Sequence, residues 1–294
     1  MHIPVLLNEV IRFLDPKPGE FIIDATVDGG GYAAEIIKKI SPAGKFLGID
    51  WDKNILKKAT TALQHPISDF QLQFKNDNYA NLPEILEKLG WGKADGLVLD
   101  LGFSSEQLEN SGRGFSFRRD EPLIMIYSDE EEPVRELLKK MKEEELAAII
   151  KNFGEERFAK RIARAIREQE KKKPIETSGE LARIISDAVP RNYEKGRMHP
   201  ATRTFQALRI YANKELQNLE MILKNLKLVL NPSGRAVIVS FHSLEDRLVK
   251  NYFRDLKKID DAEILTKKPV TPSREEFQEN PRSRSAKLRA VKLI

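Results

Sequence analysis

The 294-residue chain contains no cysteine. Disulfide staples and a thiolate nucleophile are therefore excluded, and a reducing compartment, the cytoplasm, is the expected location. Histidine is also scarce. His2, His65, His199 and His242 lie far apart, without metal-ligand spacing, so no metal site is expected. No apolar run approaches the ~18 residues of a membrane span, and no signal-peptide pattern opens the chain. A membrane partner is not expected.

What is present is a core and an uneven charge. Hydrophobic residues make up 40% of the chain, enough for one large domain or two ordinary ones. The net charge is +5 and the isoelectric point about 9.1. Residues 151–173 hold nine Lys/Arg against four Glu, and 267–292 hold eight against three. Between 120 and 145 the balance reverses to ten acids against four bases. Basic segments beside an acidic one fit a phosphate-binding face, although solvated helix faces explain the 151–173 run equally well.

The stretch from Phe21 to Asp50 organises the rest. Phe21-Ile22-Ile23 is a short apolar run ending at Asp24, the pattern of a buried parallel strand. Gly29-Gly30-Gly31 comes next, then a helical pattern from Tyr32 that Ser41-Pro42-Ala43-Gly44 breaks. Lys45–Ile49 is a second strand, capped by Asp50. Glycines allow close backbone approach to a ligand, and an acid about 20 residues past the loop can bind both ribose hydroxyls. The run does not match the dinucleotide pattern G-x-G-x-x-G. An acid at the strand end suits a cation such as S-adenosylmethionine, where a pyrophosphate would be repelled. A plain strand-to-helix turn with packing glycines remains open at this point.

The βα rhythm continues through a strand at Phe70–Phe74, a helix at Leu82–Leu89 and a buried strand at Ala94–Leu99 ending in Asp100. Tyr79, in the loop after the third strand, is placed to stack on an adenine or simply to pack. From Pro133 to about Pro200 only helices are expected. Thr177-Ser178-Gly179-Glu180 fits a capping box. Apolar residues from Phe205 to Leu230 then step by three and four, which predicts one long amphipathic helix. A strand at Ala236–Ser240 leads into Phe241-His242-Ser243, and final edge strands are expected near Ile264 and Leu288–Leu293.

Several blocks run in one order along nearly the whole chain: HIPVLLNEV, the glycine loop, DLGFSSEQL, RGFSF, GEERFAKRIARAI, HPATRTFQALRIYAN, SFHSLEDRLVK and NPRSRSAKLRA. In these the sequence resembles the bacterial small-subunit ribosomal RNA cytosine-N4 methyltransferases, the MraW/RsmH family. The resemblance implies a class I S-adenosylmethionine-dependent methyltransferase, a Rossmann-like α/β sheet with an inserted all-helical domain. On this reading residues 1–104 and 206–294 form the methyltransferase domain, and 105–205 form the insertion that recognises substrate. The implied acceptor is one cytosine in the decoding region of 16S rRNA, within the small ribosomal subunit. The implied cofactor contacts are Gly30, Gly31, Tyr32, Asp50, Tyr79, Asp100 and Gln107.

The sequence departs from the family pattern in two places. The loop usually ends Gly-Gly-His, and here ends in Tyr32. A block usually reading Pro-Leu-Asp-Met-Arg-Met-Asp is Pro122-Leu123-Ile124-Met125-Ile126-Tyr127-Ser128-Asp129, so an acid and an arginine are both isoleucine. Those losses motivate a second reading, a cofactor-binding ribosome-assembly factor with weak or no activity. A nicotinamide-dependent oxidoreductase, resting on the βαβ unit alone, is a third.

The resemblance implies direct methyl transfer to the exocyclic N4, and the absence of cysteine is consistent with it, because methylation at pyrimidine C5 normally uses a cysteine thiolate. Asp100 is the first candidate to accept a hydrogen bond from that amine. Ser104, Ser105 and His242 are second candidates, with His242 equally suited to cap a helix. Lys160, Arg161, Arg164 and Arg203 could hold phosphates.

Overall fold

The computed structural model describes residues 4–63, 70–102, 111–196 and 198–294. The chain divides into two compact units, Met1–Ser104 with Leu216–Ile294, and Ser105–Glu215.

The first unit is a seven-stranded sheet. Its strands are β1 (Phe21–Asp24), β2 (Lys45–Asp50), β3 (Gln71–Asn76), β4 (Ala94–Asp100), β5 (Leu230–Ser240), β6 (Ala262–Ile264) and β7 (Lys287–Leu293), in the order β3-β2-β1-β4-β5-β7-β6. The first five run parallel, and β7 pairs antiparallel with both β5 and β6. Burial tracks position in the sheet. Interior β1 is buried at all four residues, while the edge strand β3 has no buried residue.

Side chains of neighbouring residues in a strand fall on opposite faces, so the sheet has two cores. One face gathers Ile23, Leu47, Leu97, Leu99 and Ile238 under α4 (Leu82–Leu89), α10 (Glu215–Lys224) and α12 (Ser243–Lys258). The other gathers Ile22, Phe46, Val98, Val237 and Val239 under α1 (Leu7–Leu14), α2 (Gly31–Ile40) and α3 (Lys53–Ala62). Helix α1 begins from Leu6, which holds a left-handed φ of +56°. That conformation costs an L-residue about 1–2 kcal/mol, so something must hold it.

The second unit is helical: α5 (Val134–Lys140), α6 (Glu143–Gly154), α7 (Ala159–Lys172), α8 (Ser178–Ala188) and α9 (Thr202–Ala212). The capping box at Thr177 and Glu180 is formed, with both reciprocal hydrogen bonds. Between 113 and 129 the chain is held by polar groups instead of regular structure. Arg113 Nη1 donates to the carbonyls of Ile126 and Tyr127 at 3.0 and 2.9 Å. Fully buried Asn213 donates to the Met125 carbonyl and accepts from the Tyr127 amide, both at 2.8 Å.

Asn213 also explains where the expected long helix fails. The apolar steps from Phe205 to Leu230 are carried by α9, α10 and a short α11 (Leu226–Val229). Asn213 closes α9 through its backbone and side chain, and Lys214 turns with φ +52°. Apolar residues recur at this spacing in both helices, so the sequence period carries no mark of the break. Similarly, Met141 takes an extended ψ of 140° and divides the Leu137–Leu146 stripe between α5 and α6. Strand β5 starts earlier than Ala236, because Leu230 already pairs with Ala94 before an irregular register shift. A short helix, α13 (Arg274–Glu279), lies within the proline-marked stretch before β7. Among the described residues no helix is long and apolar enough to cross a membrane.

Candidate functional site

In a parallel sheet of this kind, ligands bind outside the carboxyl ends of the strands. At that edge of the first unit the sequence sets Asp24, Asp50 and Asp100 on the tips of β1, β2 and β4. The glycine loop lies between β1 and α2. Gly30 adopts φ +78° at the N-terminus of α2, a conformation glycine takes without strain. Asp28 is also left-handed, and its amide donates to Asp50 Oδ2 at 3.0 Å. The Asp52 amide donates to the other Asp50 oxygen at 2.9 Å. Asp50 thus tethers the glycine loop to the end of its own strand.

The loop after β3 is joined to the same point. Asn76 Nδ2 donates to the carbonyls of Asp50 and Trp51 at 2.9 and 3.0 Å, and the Asp77 amide donates to the Asp50 carbonyl at 3.2 Å. Tyr79, three residues past Asn76, is half-buried in a turn of 3-10 helix. Tyr79 packs against the apolar core, the packing role open to it from sequence.

The tip of β4 is tied to β1 and α2. Thr26 Oγ1 accepts from the Asp100 amide at 2.6 Å, and the Gly102 amide donates to Asp100 Oδ1 at 2.9 Å. The buried Tyr32 places its hydroxyl 2.9 Å from Asp100 Oδ2 and against the Val5 carbonyl. Burial and the neighbouring Asp100 carboxylate hold the Tyr32 phenol protonated, well above its usual range. Sequence reasoning does not assign Thr26 or Val5 to this edge. The D-x-T spacing is visible, but nothing local indicates that Thr26 holds the β4 tip.

The charges show what this edge can hold. Asp24 is fully buried; Oδ1 accepts weakly from the Thr26 amide at 3.3 Å, and Oδ2 has no hydrogen-bond partner. Burial, with Asp100, Asp50 and Asp28 nearby, pushes the Asp24 carboxyl up to about 8. Half-buried Asp50 is pushed up to about 7, burial outweighing its two backbone donors. Aggregated acids with an orphaned oxygen disfavour a phosphate and favour a cation. A sulfonium with an α-ammonium group fits that requirement, and a ribose diol fits Asp50.

Gln107, Ser104 and Ser105 lie outside the described residues. His242 caps α12: Nδ1 accepts from the Glu245 amide at 3.4 Å, while Glu245 Oε2 accepts from the Phe241 and His242 amides. This is the capping role open to it from sequence. In the second unit, Lys160, Arg161 and Arg164 are exposed on α7, with Arg164 3.5 Å from Glu143. Arg203 Nη1 donates to the Glu155 carbonyl at 3.4 Å.

Strand order, a reversed β7 and a glycine loop after β1 are those of the class I S-adenosylmethionine-dependent methyltransferase fold. The MraW methylase family model matches residues 1–294, and the chain belongs to that family. The chain is 42% identical to the ribosomal RNA small subunit methyltransferase H of Clostridioides difficile (strain 630), covering 100% of this chain and 99% of that protein. It is 46% identical to the protein of the same name from Thermotoga neapolitana, covering 100% and 96%. Among solved structures, an rRNA methylase from Streptococcus thermophilus is similar with a TM-score of 0.42 at 12% identity, covering 100% of this chain and 99% of that one.

Proposed function

We propose that this protein methylates the exocyclic N4 of one cytosine in the decoding region of 16S rRNA, acting on the small ribosomal subunit. The observation that carries the reading is the acid-lined glycine-loop edge, where buried Asp24 keeps an oxygen without a partner. In this scheme Gly30, Gly31 and Tyr32 line the donor pocket, Asp50 takes the ribose hydroxyls, and Tyr79 covers the adenine. Asp100 and Gln107 complete the pocket. When bound, S-adenosylmethionine supplies an electrophilic methyl group.

The acceptor amine is a poor nucleophile because its lone pair conjugates into the ring. The protein's task is to hold that nitrogen in line and accept a hydrogen bond from it. Asp100 is suited to this: a carboxylate offers about four lone-pair sites, and Tyr32 and Gly102 hold this one in place at the strand tip. With no cysteine available, no thiolate adduct on the ring accompanies transfer. A base reached this way must be unpaired or turned out of its helix. The helical unit, with Lys160, Arg161 and Arg164 on an exposed helix face, supplies phosphate contacts and substrate recognition.

The test is nucleoside analysis of small-subunit RNA after incubation with the protein and S-adenosylmethionine. N4-methylcytidine at one position is the expected product. A C5-methylated or ribose-methylated product overturns the reading.

A further inference from the structure

The first described residues, Pro4 to Leu6, lie directly on the glycine loop. A Cβ added at Gly31 would come 2.1 Å from Pro4 Cγ, so a glycine is needed for the two segments to touch. Val5, the next residue, turns its carbonyl to the Tyr32 hydroxyl. Leu6, itself buried, then takes its left-handed turn into α1. No side chain caps α1 at that turn. The holding contact comes from the other end of the chain: Glu276, on α13, accepts the Leu6 amide with Oε1 at 2.6 Å, across 270 residues. A glutamate does the same for an N-cap amide in a capping box, but there it sits three residues away.

This contact reaches the donor pocket through Tyr32. The Tyr32 hydroxyl has one proton and two acceptors, the Val5 carbonyl and Asp100 Oδ2. The position of Val5 therefore sets the pose of the phenol, and the phenol bears on Asp100. A continuous path runs from Glu276 through Leu6 and Val5 to Tyr32 and the β4 tip.

We propose that Glu276 is a positioning residue for the methyl-donor pocket: by pinning the Leu6 turn it fixes Val5 against Tyr32, and through Tyr32 it orients Asp100. The inference rests on the assignment of Tyr32 and Asp100 to that pocket. It gives the C-terminal segment a role in cofactor binding although Glu276 itself need not touch the cofactor.

The experiment is calorimetric titration of S-adenosylmethionine into the full chain, comparing wild type, Glu276→Ala, Glu276→Gln, Tyr32→Phe and the double variant Glu276→Ala/Tyr32→Phe. Removing Glu276 leaves a buried Leu6 N–H without a partner, and affinity should fall about ten-fold. Glu276→Gln keeps an acceptor oxygen and should recover most of the loss. Glu279→Ala, at an exposed position on the same helix, should bind as wild type does. In the Tyr32→Phe background, adding Glu276→Ala should cost little more, because both changes cut one path. Equal binding by wild type and Glu276→Ala, or fully additive losses in the double variant, overturns the inference alone. Absence of binding by the wild-type chain overturns the pocket assignment and the inference together.

Discussion

The hydroxyl of Tyr32 stands 2.9 Å from Asp100 Oδ2, joining the first turn of α2 to the tip of β4 inside the glycine-loop edge. Tyr32 is thus a structural link and not a passive lining residue. Its ring fills buried space, and its single proton is shared between the sheet and the N-terminal turn. Donor binding, as proposed, turns on this edge and on the carboxylates around it.

Asp24 gives the edge a pH signature. Its carboxyl is raised from 3.8 in the unfolded chain to about 8 in the fold, with burial the main cause. The folded state therefore binds this proton more tightly than the unfolded state. The stabilisation is fully present below pH 3.8 and is lost as pH rises through about 8. Asp24→Asn removes the titration, so the free protein should lose less stability between about pH 5 and 8 than wild type. Denaturant melts across that range measure the slope; equal slopes would remove Asp24 as its source. A cationic ligand draws the ionised form, so binding near neutral pH should release protons, visible as buffer-dependent heats of titration.

Asp50 combines two duties. It accepts the Asp28 and Asp52 amides, and it is the proposed ribose ligand. Asp50→Ala should weaken S-adenosylmethionine binding about 100-fold, the combined loss of two charge-assisted hydrogen bonds. Asp50→Asn retains part of the loop contact and should lose less. Titration calorimetry separates the two variants.

The isoleucines in the 122–129 block are not equivalent. Ile126 is 3% exposed, whereas Ile124 is only half-buried. Arginine at 126 would have to bury a charge without a prepared partner, so Ile126→Arg should destabilise by about 3–5 kcal/mol. Ile124→Asp should be far milder. Thermal melts of both variants check this. Ile126 is thus a buried apolar side chain, and placing a charge there alone is not a route to higher activity. A rise in activity with no change in melting for Ile126→Arg would contradict this and favour the assembly-factor reading.

Exposed bases on α7 should act on RNA without base preference. Replacing Lys160 and Arg161 together with alanine should weaken binding to small-subunit RNA uniformly across sequences. It should reduce the slope of log affinity against log salt by about 1–2. An unchanged slope would leave these residues as a solvated helix face.

Local signals in the sequence carry the β1–loop–α2–β2 unit, because a buried apolar run, three glycines and a terminal acid are all readable within one short stretch of chain. The same holds for the Thr177 capping box, whose partners are three residues apart. Hydrophobic period alone could not show the break at Asn213. That residue acts through a side chain reaching Met125 and Tyr127, 88 and 86 residues away. Glu276 is the extreme case, since its partner lies 270 residues back and no spacing rule connects the two. Asp100 could be placed at a strand tip from sequence, but not its link to Tyr32. Polar contacts between distant segments exist only once the unit that holds them has folded.

The most direct test of the proposed activity is transfer of tritiated methyl from S-adenosylmethionine to small ribosomal subunits from cells lacking the modification, with wild type and Asp100→Ala side by side. The expected result is label on the N4 of a single cytosine with wild type and a loss of about 100-fold or more with Asp100→Ala. No label from a wild-type protein that still binds the donor would contradict it, and so would full activity of the Asp100 variant.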